Sequence, residues 1–240
     1  MENNKLLSIE HLSVWYTKNK PVLKELSLDL YPNEVVGLIG LNGAGKTTLI
    51  KTISGLLNTY HLNQATWQGK SLSFRDNSFK MNRYTVFAED HSFQYFTFQE
   101  YVSYVASSYG VKMLNVEELV RGFHFTEYTD VLLKELSTGN LKKAYLITAF
   151  ALHPCLLLLD EPVNGLDYQS TEYLYELIGR YKEYGTILFS SHILESICLT
   201  SSRVLVLEKG QITKQFQGKE IITSNIREVL SGEADNKSNF

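Results

Sequence analysis

An apolar run, EVVGLIG at 34–40, leads straight into Gly40-Leu41-Asn42-Gly43-Ala44-Gly45-Lys46-Thr47 and then into TTLIKTISGLL. The run reads as a fully buried strand. The spacing of Leu49, Ile53, Leu56 and Leu57 predicts a helix ending near Gly55 or Asn58. A G-x-x-x-x-G-K-[ST] loop between strand and helix admits few folds and has a specific chemistry. Its glycines let backbone N–H groups wrap a phosphate group, and the helix N-terminus adds a favourable dipole. Lys46 places a mobile charge among the outer phosphates, and Thr47 offers a hydroxyl to Mg²⁺. The expectation is a nucleoside triphosphate bound by Gly40, Asn42, Gly43, Ala44, Gly45, Lys46, Thr47 and Thr48. Charge-assisted hydrogen bonds of roughly 1.5–3 kcal/mol each would suffice for micromolar binding.

The flanking segments predict an α/β architecture. SIEHLSVWY and VLKELSLDLY alternate with the two-residue period of strands, and Thr17 to Pro21 turn between them. Further strands are expected at TVFA (85–88), LLLLD (156–160), TILFS (186–190) and RVLVLE (203–208). Helical patterns lie at 97–109, 115–134, 140–152 and 168–184. Strands separated by helices imply a parallel sheet with crossover helices. The stretch 91–139 holds helices and no good strand, so it reads as a helical insertion. The polar end, SGEADNKSNF, reads as a frayed tail.

Composition narrows the function. With 44% hydrophobic residues over 240 positions the chain has material for a large core. A net charge of −3 offers no basic excess for a run of phosphates, so no nucleic-acid partner is expected. Cys155 and Cys198 sit in apolar stretches and read as buried, reduced thiols. The most apolar stretch, 144–159, is broken by His153 and Pro154 and falls short of the roughly 20 apolar residues of a bilayer span. No apolar segment before a cleavage site marks a signal peptide near Met1, so a soluble chain is expected.

At 155–162 the sequence reads CLLLLDEP. A carboxylate at the end of a central strand, Asp160, can hold Mg²⁺ through water. The next one, Glu161, projects differently and can orient or deprotonate an attacking water. Without the upstream loop the same pair would read as two acids opening a surface turn.

Leu136-Ser137-Thr138-Gly139-Asn140, followed by Lys142 and Lys143, resembles the signature segment LSGGQ of the ATP-binding subunits of ABC transporters. The resemblance extends over nearly the whole chain in the family's order. Gly40–Thr48 resembles the Walker A loop and Cys155–Glu161 the Walker B strand. Asn164-Gly165-Leu166-Asp167 resembles the D-loop, and Ser190-Ser191-His192 the switch histidine. Tyr16 matches the aromatic that stacks on adenine, although Trp15 is adjacent and an aromatic on an edge strand can simply pack.

The resemblance implies an α/β P-loop NTPase of the ABC ATPase type spanning 1–240. It has a mostly parallel central sheet, an N-terminal antiparallel β subdomain, a helical subdomain inserted at 91–139 and a tail at 232–240. It implies ATP and Mg²⁺ as cofactors, with Glu161 and His192 catalytic and Thr47, Glu89 and Asp160 serving the metal. Ser137, Gly139 and Asn140, at the start of a helix that would itself bind an anion, would face ATP held by a second ATPase subunit. Read alone, LSTGN is an ordinary helix cap. The other implied partner is a separate membrane permease, which would hold this cytoplasmic protein at the inner face of the membrane.

Departures from the family pattern are few. Glu89 stands where a glutamine is usual, with Asp90 a rival for the position. Thr138 and Asn140 replace a glycine and the glutamine, Lys143 an arginine, and the D-loop opens with Asn164-Gly165. No catalytic carboxylate or switch histidine is missing, so an active site is expected. In FQYFTFQEYVSYVASSY (93–109), Phe98, Tyr101, Val102, Val105 and Tyr109 share a helical face and read as core. The family offers a second reading, in which the surface beside Glu89 receives a permease helix. FAED, FTFQEYVSYV and FHFTEY resemble ATPases of bacterial peptide-antibiotic export and immunity systems, including subtilosin-type ones. The alternative functions are a soluble ABC ATPase of translation or DNA repair, which would bring a second ATPase unit or a coiled coil, and a small-molecule kinase, which would leave the signature segment and His192 unexplained.

Overall fold

The computed structural model describes residues 4–18 and 20–232. The polar end expected to fray lies outside them from residue 233 onward. In chain order the elements are β1 (Leu7–Thr17), β2 (Lys20–Leu30), β3 (Val35–Ile39), α1 (Lys46–Ile53), β4 (Tyr60–His61), β5 (Gln64–Trp67), β6 (Lys70–Ser71), α2 (Asn77–Lys80), β7 (Arg83–Val86), α3 (Phe98–Ser108), α4 (Glu117–Gly122), α5 (Thr138–Leu152), β8 (Leu156–Asp160), α6 (Tyr168–Arg180), β9 (Thr186–Ser191), α7 (Leu194–Thr200), β10 (Arg203–Glu208), β11 (Gln211–Gln217) and α8 (Thr223–Leu230).

Two sheets divide the strands. The first runs β2-β1-β5-β6, with β4 also on β1, and all its pairings are antiparallel. The second runs β11-β10-β3-β9-β8-β7, parallel throughout except for the β10–β11 hairpin at its edge. The expected antiparallel N-terminal part and mostly parallel central sheet are both present. In β1, Ile9 and Leu12 both reach the core despite an odd spacing, because the register shifts between them at the left-handed His11 (φ 51°).

The central strands are apolar on both faces because two cores meet them. Val36 and Leu38 of β3, with Leu156 and Leu158 of β8, pack toward α1 and the antiparallel sheet. Val35 and Ile39, with Leu157 and Leu159, pack toward α3, α5 and α6. At roughly 25 cal/mol per Å² of apolar surface, each buried Leu or Ile contributes about 1.5–3 kcal/mol, which fixes which strands are central.

Several boundaries differ from expectation. The pattern over 115–134 is not one helix: α4 stops at Gly122, and 3₁₀ turns follow at Thr126–Tyr128 and Leu133–Glu135. The cause is burial. Phe123 and Phe125 are both fully buried on either side of left-handed His124 (φ 52°), a geometry a continuous helix cannot supply. Helix α1 ends at Ile53, and Gly55 (φ 76°) turns the chain, leaving Leu56 exposed. Cys155 is exposed, not buried, because the residue before β8 faces out between buried Pro154 and Leu156; Cys198 is half-buried, and both thiols are free. Among the described residues no helix is long and apolar enough to cross a membrane.

Candidate functional site

The strand order brings distant motifs together. β9 lies between β3 and β8, with Ile39 paired to Ser191 and Ser190 to Asp160. The loops after β3, β8 and β9 therefore emerge side by side at the carboxyl edge of the parallel sheet, where ligand sites of open α/β sheets form. An open cleft of 580 Å³ lies there, lined among others by Tyr16, residues 41–48, Glu161, Asn164 and His192.

The loop is built by its glycines. Gly45 caps α1 at φ 111°, and a Cβ there would lie 2.6 Å from Leu23. Gly40 is required for close approach, since a Cβ would lie 2.2 Å from the Leu207 carbonyl oxygen of β10. Lys46 opens α1 with its ammonium largely buried; it donates to the Gly40 carbonyl (2.7 Å) and stands 3.6 Å from Glu161 Oε1. Thr48 lines the cleft and its hydroxyl meets the Tyr16 phenol at 3.3 Å. Tyr16 is itself 57% exposed, so its ring is not part of the packed interior.

Asp160 is buried at the end of β8. Its Oδ1 accepts from Thr47 Oγ1 (3.1 Å) and Ser190 Oγ (2.7 Å), while Oδ2 is buried without a hydrogen-bond partner. An unpartnered buried carboxylate oxygen beside a threonine hydroxyl is the donor set a hard divalent cation takes, directly or through water. Glu161 follows in the left-handed region (φ 47°), a strained conformation for a non-glycine residue. That turn aims its carboxylate back into the cleft, and Ser190 Oγ accepts the Glu161 N–H at 3.0 Å. Oε2 lies 2.7 Å from His192 Nδ1 and 3.3 Å from the His192 backbone N–H, which donates to it. One carboxylate thus links the loop lysine to the exposed histidine.

Ser137 is exposed and caps α5, its hydroxyl accepting from the Asn140 N–H at 3.2 Å. It does not line the cleft of its own chain. Gly139 packs under the 164–167 loop, where a Cβ would meet the Gly165 carbonyl oxygen at 2.4 Å. Lys143 bonds Asp167 (2.6 Å), the residue that caps α6. Gly139 is therefore held against the 164–167 loop, and none of Ser137, Gly139 and Asn140 lines the cleft at Lys46. Glu89 also lies apart: it is exposed and lines a second, 190 Å³ pocket with Asp90, Thr138 and Lys142. Sequence reasoning missed Ser190 as a partner of both acids; its adjacency to Ser191-His192 at a strand end was the available signal. It also gave no role to Lys142, whose position inside an apolar helix face was a signal of its own.

Comparison with known proteins agrees with this geometry. Residues 23–164 match the ABC transporter family. The putative ABC transporter ATP-binding protein AlbC of Bacillus subtilis (strain 168) is 35% identical over 216 residues, covering 87% of this chain and 90% of that one. EcsA, an ABC-type transporter ATP-binding protein of the same organism, is 32% identical over 86% of this chain and 85% of its own length. A solved ATP-binding subunit of an ABC transporter superposes with a TM-score of 0.82 at 26% identity, covering 96% of this chain and 99% of that one. The loop, the two acids, the histidine and these likenesses converge: the chain belongs to the ABC transporter family, in which it is an ATP-binding and ATP-hydrolysing subunit.

Proposed function

We propose that this subunit powers a separate membrane permease by closing on a second ATPase subunit around ATP, and that its hydrolytic chemistry centres on Glu161. The observation that carries the reading is the Glu161 carboxylate between Lys46 and His192 in the loop cleft. Gly40, Asn42, Gly43, Ala44, Gly45, Lys46, Thr47 and Thr48 cradle the phosphates, and Tyr16 covers the base. Glu161 accepts the proton of the attacking water and, through its contact with Nδ1, orients the His192 ring toward the γ-phosphate. Thr47 and Asp160 are the residues that would hold Mg²⁺, a fit supported by the unpartnered Asp160 Oδ2. Bound with the triphosphate, Mg²⁺ supplies charge neutralisation on the phosphate oxygens. For Glu89 the proposal is a water-mediated contribution once its loop approaches the cleft.

Ser137, Gly139 and Asn140 would complete the site of the opposite subunit; the exposure of Ser137 and the absence of all three from the lining of their own chain's cleft support a role in trans. The permease-facing surface is proposed beside Glu89, where Tyr95 and Tyr104 are 76% and 48% exposed. This arrangement would hold the chain at the cytoplasmic face of the membrane. A cargo of peptide antibiotic, in export or immunity, rests on the resemblance of 86–90, 96–105 and 123–128 to such ATPases, and the permease that co-purifies with the chain tests it. For the core of the proposal, Glu161→Gln should keep ATP affinity, lose hydrolysis and elute as a dimer with ATP in size-exclusion chromatography. Unchanged turnover would remove Glu161 from the mechanism.

A further inference from the structure

Lys142 lies one helical turn inside α5, only 4% exposed, on a face otherwise given to core packing. Its ammonium donates to the backbone carbonyls of Phe87 and Ala88, just past the end of β7. Three residues along the same helix, and so on the same face, the Tyr145 hydroxyl donates to the Ser92 carbonyl at 2.7 Å. Helix α5 thus grips the 87–92 loop at both ends, with Glu89 and Asp90 between the two anchors. The Tyr145 ring also stands edge-on to Tyr101 of α3 at 5.3 Å, and Tyr101 meets the Tyr84 hydroxyl of β7.

Burying an ammonium is costly, and methionine or leucine would pack at this depth without that cost. Desolvation lowers the Lys142 pKa to about 8, although Asp160, Asp90, Glu161 and Glu89 all favour its charged form. What lysine supplies and an apolar side chain cannot is two donors aimed at two successive carbonyls. The same helix begins at Ser137, the cap proposed to meet the opposite subunit's ATP.

We propose that Lys142, assisted by Tyr145, is a positioning residue of ATP turnover: it fastens the 87–92 loop to α5, so that the loop carrying Glu89 and the cap at Ser137 move as one body. This rests on the roles given above to Glu161 and Ser137. The test is steady-state hydrolysis by the purified full-length chain for Lys142→Met, Lys142→Arg, Tyr145→Phe and Glu161→Gln, with hydrogen exchange read over 87–92. Lys142→Met should lower kcat about 10- to 100-fold, the penalty of a misplaced group, while KM for ATP stays within about twofold because the phosphate loop is untouched. Lys142→Arg, which keeps donors for both carbonyls, should recover most of kcat. Tyr145→Phe removes one hydroxyl and should speed exchange at 89–92 even if Lys142→Met fails to fold. Full kcat in Lys142→Met, equal losses in kcat and ATP affinity, no recovery with arginine, or unchanged exchange in Tyr145→Phe would each overturn the proposal. Hydrolysis by Glu161→Gln would instead overturn the reading of the site on which it stands.

Discussion

His192 Nδ1 and Glu161 Oε2 lie 2.7 Å apart, at the ends of the adjacent parallel strands β9 and β8. A carboxylate at Nδ1 takes the N–H of that nitrogen and leaves Nε2 to face the cleft. His192→Ala therefore removes a reacting group without touching the core, since the histidine side chain is half exposed. Turnover should fall about 100-fold or more, the usual weight of a positioned acid or base. The thermal midpoint should stay within about 2 °C, as for a surface substitution. Steady-state kinetics and calorimetry of the variant check both numbers.

Gly139 and Gly165 offer a steric test of the contact between the signature segment and the D-loop. A Cβ on Gly139 would lie 2.4 Å from the Gly165 carbonyl oxygen, a backbone atom that cannot rotate away. Gly139→Ala should cost about 1–3 kcal/mol as overpacking and should slow hydrolysis by displacing Asn164, which lines the cleft. Gly179→Ala, within α6 and with open space around its Cβ position, should instead be neutral or stabilising by up to about 1 kcal/mol. Urea denaturation of the two variants distinguishes steric pressure from helix propensity.

The Lys143 ammonium, joined by the Ser170 backbone N–H and hydroxyl, holds the Asp167 carboxyl far below its ordinary value of 3.8. A depressed carboxyl stabilises the fold above its unfolded value and loses that contribution as pH falls toward the folded one. Asp167 is about half exposed, so solvent screening limits the pair to about 1 kcal/mol. Lys143→Met should lower the urea midpoint at pH 7 and lower it by less at pH 3, where the unfolded carboxyl is already mostly protonated. An equal loss at both pH values would mean that Lys143 acts through packing of its stem.

The alternation of SIEHLSVWY and the all-apolar EVVGLIG and LLLLD exposed the strands because burial on one face or both writes a period into the residues. The loop at 40–47 was equally plain, since a tight phosphate cradle tolerates few residue types. Less legible were the short β4, β5 and β6, whose two to four residues carry no period, and α4, whose helical spacing was overridden by burial of Phe123 and Phe125. The separation of Glu89 from the cleft was not legible at all. It follows from where Lys142 and Tyr145 hold the 87–92 loop, a contact across more than fifty residues that no local pattern reports.

Stability at alkaline pH should carry the signature of Lys142. Burial lowers its pKa from 10.5 to about 8, so between those values the unfolded chain binds a proton that the folded chain has released. More protons on the unfolded state means that stability rises with pH across this window, by at most about 3 kcal/mol at 1.36 kcal/mol per pH unit. Buried tyrosines act in the opposite sense at higher pH. Desolvation raises Tyr84, Tyr101, Tyr145 and Tyr181 above 10, so the unfolded chain ionises first there and stability falls. Urea midpoints measured from pH 7 to 11 should therefore climb from about 8 to 10 and then drop. Lys142→Met should abolish the climb and keep the drop, because the neutral side chain has no proton to lose and the tyrosines remain buried. A climb that survives in the variant would assign it to another group and show that Lys142 stays charged in the folded protein.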